Sequence, residues 1–239
     1  RVDFGSFTMP ESVPDSGGLL RSESPGNRTE VLLFNSQVLD EEVRDSLAEN
    51  IDRSRVSSGA GFRPTDAVFP GANPPSDEAV WSADQNGESV STESPLRLVY
   101  PAGGPARDAA ARSVVEQLEA ADVEVESERV EPKEFFAETF PSGDFDLAIM
   151  DFASPAEYAA LSPFLPDDSA FAVSASLGEM DEREQYFAQT RRIMAAESAL
   201  LPLYAWPDAY SWSSTLSGPQ PETPRRATLW NIREWGFFK

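Results

Sequence analysis

Cysteine and histidine are both absent from the 239 residues, and lysine occurs only at Lys133 and Lys239. Without cysteine and histidine there is no disulfide, no thiolate nucleophile, no Ser-His or Cys-His pair, and almost no means of binding zinc, copper or haem. A lysine would have to activate any nucleophile, and both lysines lie in polar or terminal settings. The side-chain inventory therefore predicts a protein that is not an enzyme and that uses no cofactor and no metal.

Long apolar runs are missing as well. No stretch of about 18 apolar residues occurs, and the chain starts at Arg1 without the basic, apolar and small-residue regions of a signal peptide. We expect this stretch to be soluble as it stands. Because targeting segments are removed by processing, the start of the chain carries no information about where the parent protein resides.

The composition is strongly acidic, with 41 Asp and Glu residues against 19 Lys and Arg residues and a formal net charge of −22. Such a field repels phosphate backbones and anionic lipid headgroups, which argues against nucleic acid as a partner. With 40% hydrophobic and 10% aromatic residues, the chain is typical of globular proteins, and its length suits one large domain or two small ones.

Hydrophobic periodicity predicts strands that alternate with helices. The run 29–35 has the apolar density of a buried strand, and Asp40 is placed to cap a helix behind it. Over 96–150 the pattern predicts β-α-β-α-β, which favours parallel strands joined by right-handed crossovers in an α/β sheet. The predicted elements there include strands at 96–100, 123–127 and 145–150 and a helix ending at Ala121, whose exposed face is expected to carry Arg107, Arg112, Glu116 and Glu119.

Proline and glycine mark the less regular segments. The first thirty residues predict a short strand followed by a loop, and 57–94 predicts a long surface excursion. A long helix is predicted over 180–200, ended by Pro202 and followed by two short extended pieces around the Pro207-Asp208 turn. The side chains expected to hold the excursion to the body are Phe62, Val68, Phe69 and Trp81.

Two sequence patterns that could form a functional site also have ordinary structural explanations. Gly103-Gly104 separates a strand from a helix, where free N–H groups could bind a phosphate, but the spacing matches neither GxGxxG nor GxxxxGK[ST], so we expect a structural turn. Acidic pairs such as Asp144 and Asp146 could serve a glycosidase, which needs two carboxylates about 5 to 10 Å apart in one pocket. Because 41 acidic residues produce pairs by chance, a hydrolase is kept only as an alternative.

Several short motifs follow one another in an order that carries more weight than any motif alone. They are Leu32-Leu33-Phe34-Asn35, Val43-Arg44-Asp45-Ser46-Leu47, Ile51-Asp52-Arg53, Gly143-Asp144-Phe145-Asp146-Leu147, Arg191 to Glu197, Leu201-Pro202-Leu203-Tyr204, and Trp230 to Trp235. In this order they resemble the C-terminal lobe of the family 5 extracellular solute-binding proteins, the dipeptide- and oligopeptide-binding components of ABC importers. The resemblance covers about residues 29–239, and Asp45-Ser46 departs from the family's usual Gln-Ala.

The resemblance implies an α/β fold, a periplasmic-binding-protein-like type II lobe with a β-α-β-α-β mixed sheet flanked by helices. It implies three segments: 1–28 as a strand and loop connecting to the first lobe, 29–228 as the C-terminal solute-binding lobe, and 229–239 as an aromatic tail that returns to the first lobe. Separated from that lobe, the tail would leave an exposed apolar patch at Trp230 and Trp235.

The same resemblance implies the partners and the location. The partners are a peptide or another small organic solute, the N-terminal lobe of the same parent protein, and an ABC permease in the membrane. The full-length parent would be extracytoplasmic, either periplasmic or anchored to the membrane as a lipoprotein.

Ligand binding is expected in the loop after the strand that ends near Met150. Peptide-binding members of the family hold the peptide's α-amino group with an acidic residue in a "gW..D" loop, and here the sequence is Asp151-Phe152-Ala153-Ser154-Pro155. No Asp follows Phe152, so either Asp151 substitutes through a charge-assisted bond to the ammonium group, or it caps the turn after the strand. The candidate ligand-binding residues are Asp151, Phe152, Ser154, Trp206 and Tyr204, with core packing as the ordinary alternative for the aromatic ones.

A function of another class stays open at this point. The acidic surface and the aromatic tail also fit a protein-interaction module with no small-molecule ligand, and an upstream lipobox with another α/β lobe would decide in favour of transport. If the chain is one lobe of a binding protein, its solute lies between two lobes, so this half of the cleft alone should show no affinity in the micromolar range or tighter.

Overall fold

The chain forms two compact units, of which one joins 1–28 to 205–239 and the other is 29–204. The computed structural model describes residues 4–7, 19–65, 92, 94–152, 159–169, 183–217 and 236–237. The further division of the parent protein into 1–28, 29–228 and 229–239 stays a prediction.

Within the 29–204 unit the strands form a mixed sheet with the order β6-β2-β5-β3-β4. β3 pairs in parallel with both β4 and β5, whereas β5 pairs with β2 in the antiparallel direction. The predicted parallel β-α-β-α-β segment is therefore confirmed. The strands of the chain are β1 (Phe4–Phe7), β2 (Leu19–Phe34), β3 (Leu96–Pro101), β4 (Val125–Val130), β5 (Leu147–Phe152), β6 (Leu200–Ser213), β7 (Leu216–Ser217) and β8 (Gly236–Phe237).

Helices accompany this sheet, as the α/β pattern of the sequence requires. A π-helical turn, Phe135–Thr139, joins α4 to α5, and a 3₁₀ helix spans Ala159–Phe164. The α-helices are α1 (Glu41–Glu49), α2 (Arg53–Gly59), α3 (Pro105–Ala120), α4 (Pro132–Glu134), α5 (Phe140–Ser142) and α6 (Arg183–Ala196).

In the other unit β1 pairs with β6 in the antiparallel direction, from Phe4 opposite Trp212 to Phe7 opposite Ala209. A second antiparallel pair is formed by β7 and β8. The short N-terminal strand predicted from the sequence is therefore present.

The core of the 29–204 unit is built on β2 and β5. Val31 to Phe34 of β2 are completely buried, and Leu147 to Met150 of β5 are at most 1% exposed. This continuity is the property expected of a strand that is covered on both faces. β4 lies at the edge of the sheet, as its run of alternating glutamates indicated, and it exposes all four central residues, including Ser127, which the alternation placed opposite the glutamates.

Two short helices begin at aspartate caps. The side chain of Asp40 accepts a hydrogen bond from Val43 N at 2.9 Å, which starts α1 where the sequence predicted it. Asp52 accepts from Ser54 N at 2.8 Å and starts α2. The hydrophobic pattern did not indicate α2, because Val56 is its one buried apolar side chain.

Several boundaries differ from the predicted ones, including those of β4, which spans Val125–Val130 and not 123–127, and of β5, which spans Leu147–Phe152 and not 145–150. β2 starts at Leu19, in a part that was predicted as a loop. Pro25 lies inside β2 and has no N–H to donate to a neighbouring strand. Because the pairing of β2 with β5 begins at Thr29, Pro25 does not interrupt the β2–β5 ladder. α6 ends at Ala196, before Pro202, which lies inside β6. β6 also continues through Pro207 without the predicted turn, because the fixed φ of proline is compatible with an extended backbone.

The predicted excursion over 57–94 is described only at its two ends. Phe62 stacks on Tyr204 with ring centroids 4.8 Å apart, and Pro64 forms an isolated antiparallel bridge with Tyr204, so Phe62 does hold this segment to the body. The other predicted anchors, Val68, Phe69 and Trp81, lie outside the described residues, as do Trp230 and Trp235 of the tail.

Candidate functional site

Charged side chains from three elements lie together at one edge of the sheet, the edge formed by the ends of the strands. The parallel strands β3 and β5 both end at this edge, at Pro101 and Phe152, and α3 begins after the short loop that follows β3. Antiparallel β2 brings Glu30 directly opposite Asp151. In open α/β sheets the region outside the carboxyl ends of the parallel strands is where ligands bind.

Arg107, in the first turn of α3, lies at the centre of this edge and is 5% exposed. Its Nε donates to Glu30 Oε1 at 2.5 Å and its Nη2 donates to Glu30 Oε2 at 3.0 Å, which makes a bidentate ion pair. Nη2 also donates to Asp151 Oδ1, and Nη1 donates to the carbonyl oxygen of Pro101 at 3.3 Å. One guanidinium therefore links β2, β5 and the end of β3.

This placement contradicts the prediction that Arg107 lies on the exposed face of its helix. Arg112, Glu116 and Glu119, which were assigned to the same face, are exposed as predicted. Arg107 differs because the first turn of α3 lies beside the strand ends, where two carboxylates supply partners for a buried cation. Helical periodicity carries no information about such partners.

The two carboxylates would repel each other without the guanidinium. Glu30 and Asp151 are cross-strand partners, and like charges directly opposite one another destabilise a sheet. The side chain of Glu30 is completely buried, and that of Asp151 is 11% exposed. Removing carboxylates from water is costly unless they are paired and hydrogen-bonded, and Arg107 supplies both the charge and the donors.

The cluster keeps Arg107 charged. Burial alone lowers the pKa of Arg107, but the charge and hydrogen bonds of Glu30, followed by those of Asp151, outweigh burial and raise the pKa of Arg107 above that of free arginine. The guanidinium is therefore a permanent cation in the folded protein.

Two glycines make room for this arrangement. Gly104 is the N-cap of α3 and has φ 108°, a conformation that L side chains rarely adopt. Gly103 is needed because a Cβ atom there would overlap Nη1 of Arg107 and lie 3.0 Å from its Cζ. Gly103-Gly104 is thus the structural turn predicted from the sequence. The missing side chain at Gly103 leaves the space that the Arg107 guanidinium occupies.

The predicted ligand residues have different environments. Asp151 is the half-buried one, and its neighbour Phe152 is 5% exposed. Tyr204 belongs to the same unit and is completely buried, whereas Trp206 belongs to the 205–239 part of the other unit and is 3% exposed. Ser154 lies outside the described residues. The assignment of these five residues to a ligand stays a prediction.

Sequence reasoning missed Glu30 and Arg107. A signal for Glu30 was available: it is the one charged residue within the apolar run 29–35, where a charge has to be paired if the strand is buried. No comparable signal existed for Arg107, because its partners come from strands far away in the sequence.

Within the described parts of the chain, no group of three or more His, Cys, Asp and Glu is arranged to hold a metal ion. The helices described there include none with the length and apolar character needed to span a membrane. Of the two carboxylates described at this edge of the sheet, Asp151 is partly exposed, whereas Glu30 has no exposed surface.

No protein-family model matches the sequence, and no curated protein does. Solved structures do match. The ABC transporter substrate-binding protein CtaP from Listeria monocytogenes is 15% identical, with a TM-score of 0.75 over 92% of this chain and 52% of that one. The oligopeptide-binding protein AppA from Bacillus subtilis, in complex with a nonapeptide, is 16% identical, with a TM-score of 0.71 over 94% and 53%. The murein tripeptide-binding protein MppA from Escherichia coli is 17% identical, with a TM-score of 0.66 over 87% and 47%.

The chain has the fold of ABC transporter substrate-binding proteins, and the resemblance drawn from the sequence motifs is confirmed at the level of the fold. The α/β, periplasmic-binding-protein-like class is confirmed in the same way. These three neighbours are named as binding proteins. The chain spans about half the length of the structures it matches.

Proposed function

We propose that this chain is one lobe of a solute-binding protein of an ABC importer and that it binds a peptide or another small organic solute without catalysing a reaction. The observation that carries the proposal is the fold, which matches a substrate-binding protein with a TM-score of 0.75 over 92% of the chain. The fold supports solute binding over the acidic interaction module, and over a hydrolase that would need two carboxylates open to its substrate.

The rest of the parent protein supplies the second lobe. The chain spans about half of each neighbour, which supports an N-terminal lobe in the same parent. The likeness to an ABC transporter substrate-binding protein supports a permease as the membrane partner and an extracytoplasmic location, periplasmic or lipoprotein-anchored. The solute binds between the lobes and shifts an open–closed equilibrium through its greater affinity for the closed form.

Within this lobe, Asp151 is the group that meets the solute. Its carboxylate lies at the carboxyl end of β5 and is 11% exposed, whereas Glu30 is completely buried behind it. A carboxylate accepts hydrogen bonds, so the matching solute group is a donor, and a free ammonium makes the strongest such bond. The other ligand contacts proposed from the sequence are Phe152, Ser154, Tyr204 and Trp206.

The direct test is native mass spectrometry of the full-length parent protein, purified gently, to detect a solute that co-purifies with it. A bound peptide or other small organic molecule supports the proposal and identifies the solute class. If the protein is empty and stays empty when a peptide mixture is added, the peptide assignment is wrong. The isolated chain should show no micromolar affinity by calorimetry, because half of a cleft buries too little of the solute.

A further inference from the structure

Asp151 is held by a buried pair of residues that cannot themselves reach a solute. Arg107 Nη2 donates to Asp151 Oδ1, while the same guanidinium is fixed by two hydrogen bonds to Glu30. We propose that Glu30 and Arg107 are positioning residues that set the direction and electrostatic environment of the Asp151 carboxylate and thereby give the site its preference for solutes with a free ammonium group. This inference rests on the proposed solute-binding function.

All three nitrogen atoms of the Arg107 guanidinium are held in place. Glu30 binds Nε and Nη2, the carbonyl oxygen of Pro101 accepts from Nη1, and Nη1 fills the space that a side chain at position 103 would need. A planar guanidinium held by a bidentate carboxylate has little rotational freedom. The Asp151 oxygen that accepts from Nη2 is therefore fixed before a solute arrives, and prior fixation lowers the entropy lost on binding.

Glu30 also determines how far the positive charge of Arg107 offsets the negative charge of Asp151. With Glu30 ionised, the positive charge of Arg107 is shared between two carboxylates. An uncharged residue at position 30 would leave the guanidinium to Asp151 alone, which would neutralise Asp151 more fully and weaken its attraction for an ammonium group. The substitution Glu30→Gln tests this charge effect while preserving the side-chain shape.

A second substitution tests position without changing any charge. A methyl group at Gly103 would overlap Nη1 of Arg107, and the buried guanidinium can move only by weakening the bonds that hold it. Gly103→Ala therefore displaces the group that orients Asp151. Gly59→Ala is the matched control, because an added Cβ at Gly59 has no neighbouring atom within 4 Å.

The experiment measures the affinity of the full-length parent protein for an equimolar tripeptide pool and for the same pool after N-acetylation, by calorimetry and native mass spectrometry. The unmodified protein should prefer the free-amine pool by about tenfold or more. Glu30→Gln and Gly103→Ala should each lower this preference about tenfold while the affinity for the acetylated pool changes little, and Gly59→Ala should change neither value. A merely structural role would weaken both pools equally.

Three results would overturn the inference. If the unmodified protein prefers the free amine and both variants keep that preference, the positioning role is wrong while solute binding stands. If the unmodified protein binds both pools equally, ammonium selection at Asp151 is wrong, again without affecting solute binding. If neither pool binds, the peptide-binding proposal fails together with the inference. Should Glu30→Gln fail to fold, Gly103→Ala decides the question alone.

Discussion

Glu30 and Asp151 lie directly opposite each other in the antiparallel β2–β5 pair, and both carboxylates accept hydrogen bonds from Arg107. Two acidic residues in this register would repel each other in a buried sheet. Arg107, in the first turn of α3, is a cation that reaches both. The same contact stabilises the fold and orients the carboxylate that we assign to the solute.

Replacing Arg107 with methionine should destabilise the protein by about 3 to 5 kcal/mol, because it removes the cation that donates to the buried Glu30 carboxylate and to the partly exposed Asp151 carboxylate. Urea unfolding of the purified chain measures the change. The matched control is Arg112→Met on the same helix, where the side chain is exposed and the expected change is within about 0.5 kcal/mol. Equal effects of the two substitutions would contradict the structural role of the cluster.

Arg44 offers a second contrast between buried and exposed arginines. It is 5% exposed, and its guanidinium donates to the carbonyl oxygen of Glu197 at 3.1 and 3.2 Å and to that of Leu39 at 2.9 Å. Arg44→Met should lower the free energy of unfolding by about 1.5 to 3 kcal/mol, because charge-assisted bonds are lost and buried carbonyl oxygens lose their donor. The control is Arg55→Met, whose ion pair with Glu116 is half exposed and should contribute less than about 1 kcal/mol.

The net charge of −22 should make stability depend on salt. Repulsion among carboxylates opposes the compact state, and the screening length falls from about 10 Å at 0.1 M salt to about 3 Å at 1 M. The urea midpoint of the chain should therefore rise with NaCl. Sucrose at matched osmolality is the control for general solute effects, and a midpoint that rises equally in both solutes would show that charge screening is not responsible.

The sequence predicted the elements whose signals are local. The apolar run 29–35, the cap at Asp40 and the parallel segment over 96–150 could be predicted because burial and capping leave their mark in neighbouring residues. The predicted turn at Pro207-Asp208 was wrong because proline restricts φ but does not prevent an extended backbone, so β6 continues through it.

The site could be predicted only in part. Asp151 was singled out through the resemblance to the family's ligand-binding loop and its contact with a solute stays a prediction, whereas Arg107 was assigned to the wrong face of its helix. Helical periodicity assigns polar residues to the exposed face of a helix, so it places a buried arginine on the wrong face. Only the register that places Glu30 opposite Asp151 explains why the cation is buried there, and register is a property of the assembled sheet.

The measurement that tests the central claim most directly compares the free-amine tripeptide affinities of the full-length protein and its Asp151→Asn variant. The control is Asp122→Asn, the same chemical change at an exposed turn residue whose φ of 63° asparagine tolerates well. Our account predicts that Asp151→Asn weakens binding about tenfold or more, since a charge-assisted bond to the ammonium is lost, while Asp122→Asn leaves the affinity unchanged. Equal affinities for the unsubstituted protein and Asp151→Asn would contradict it.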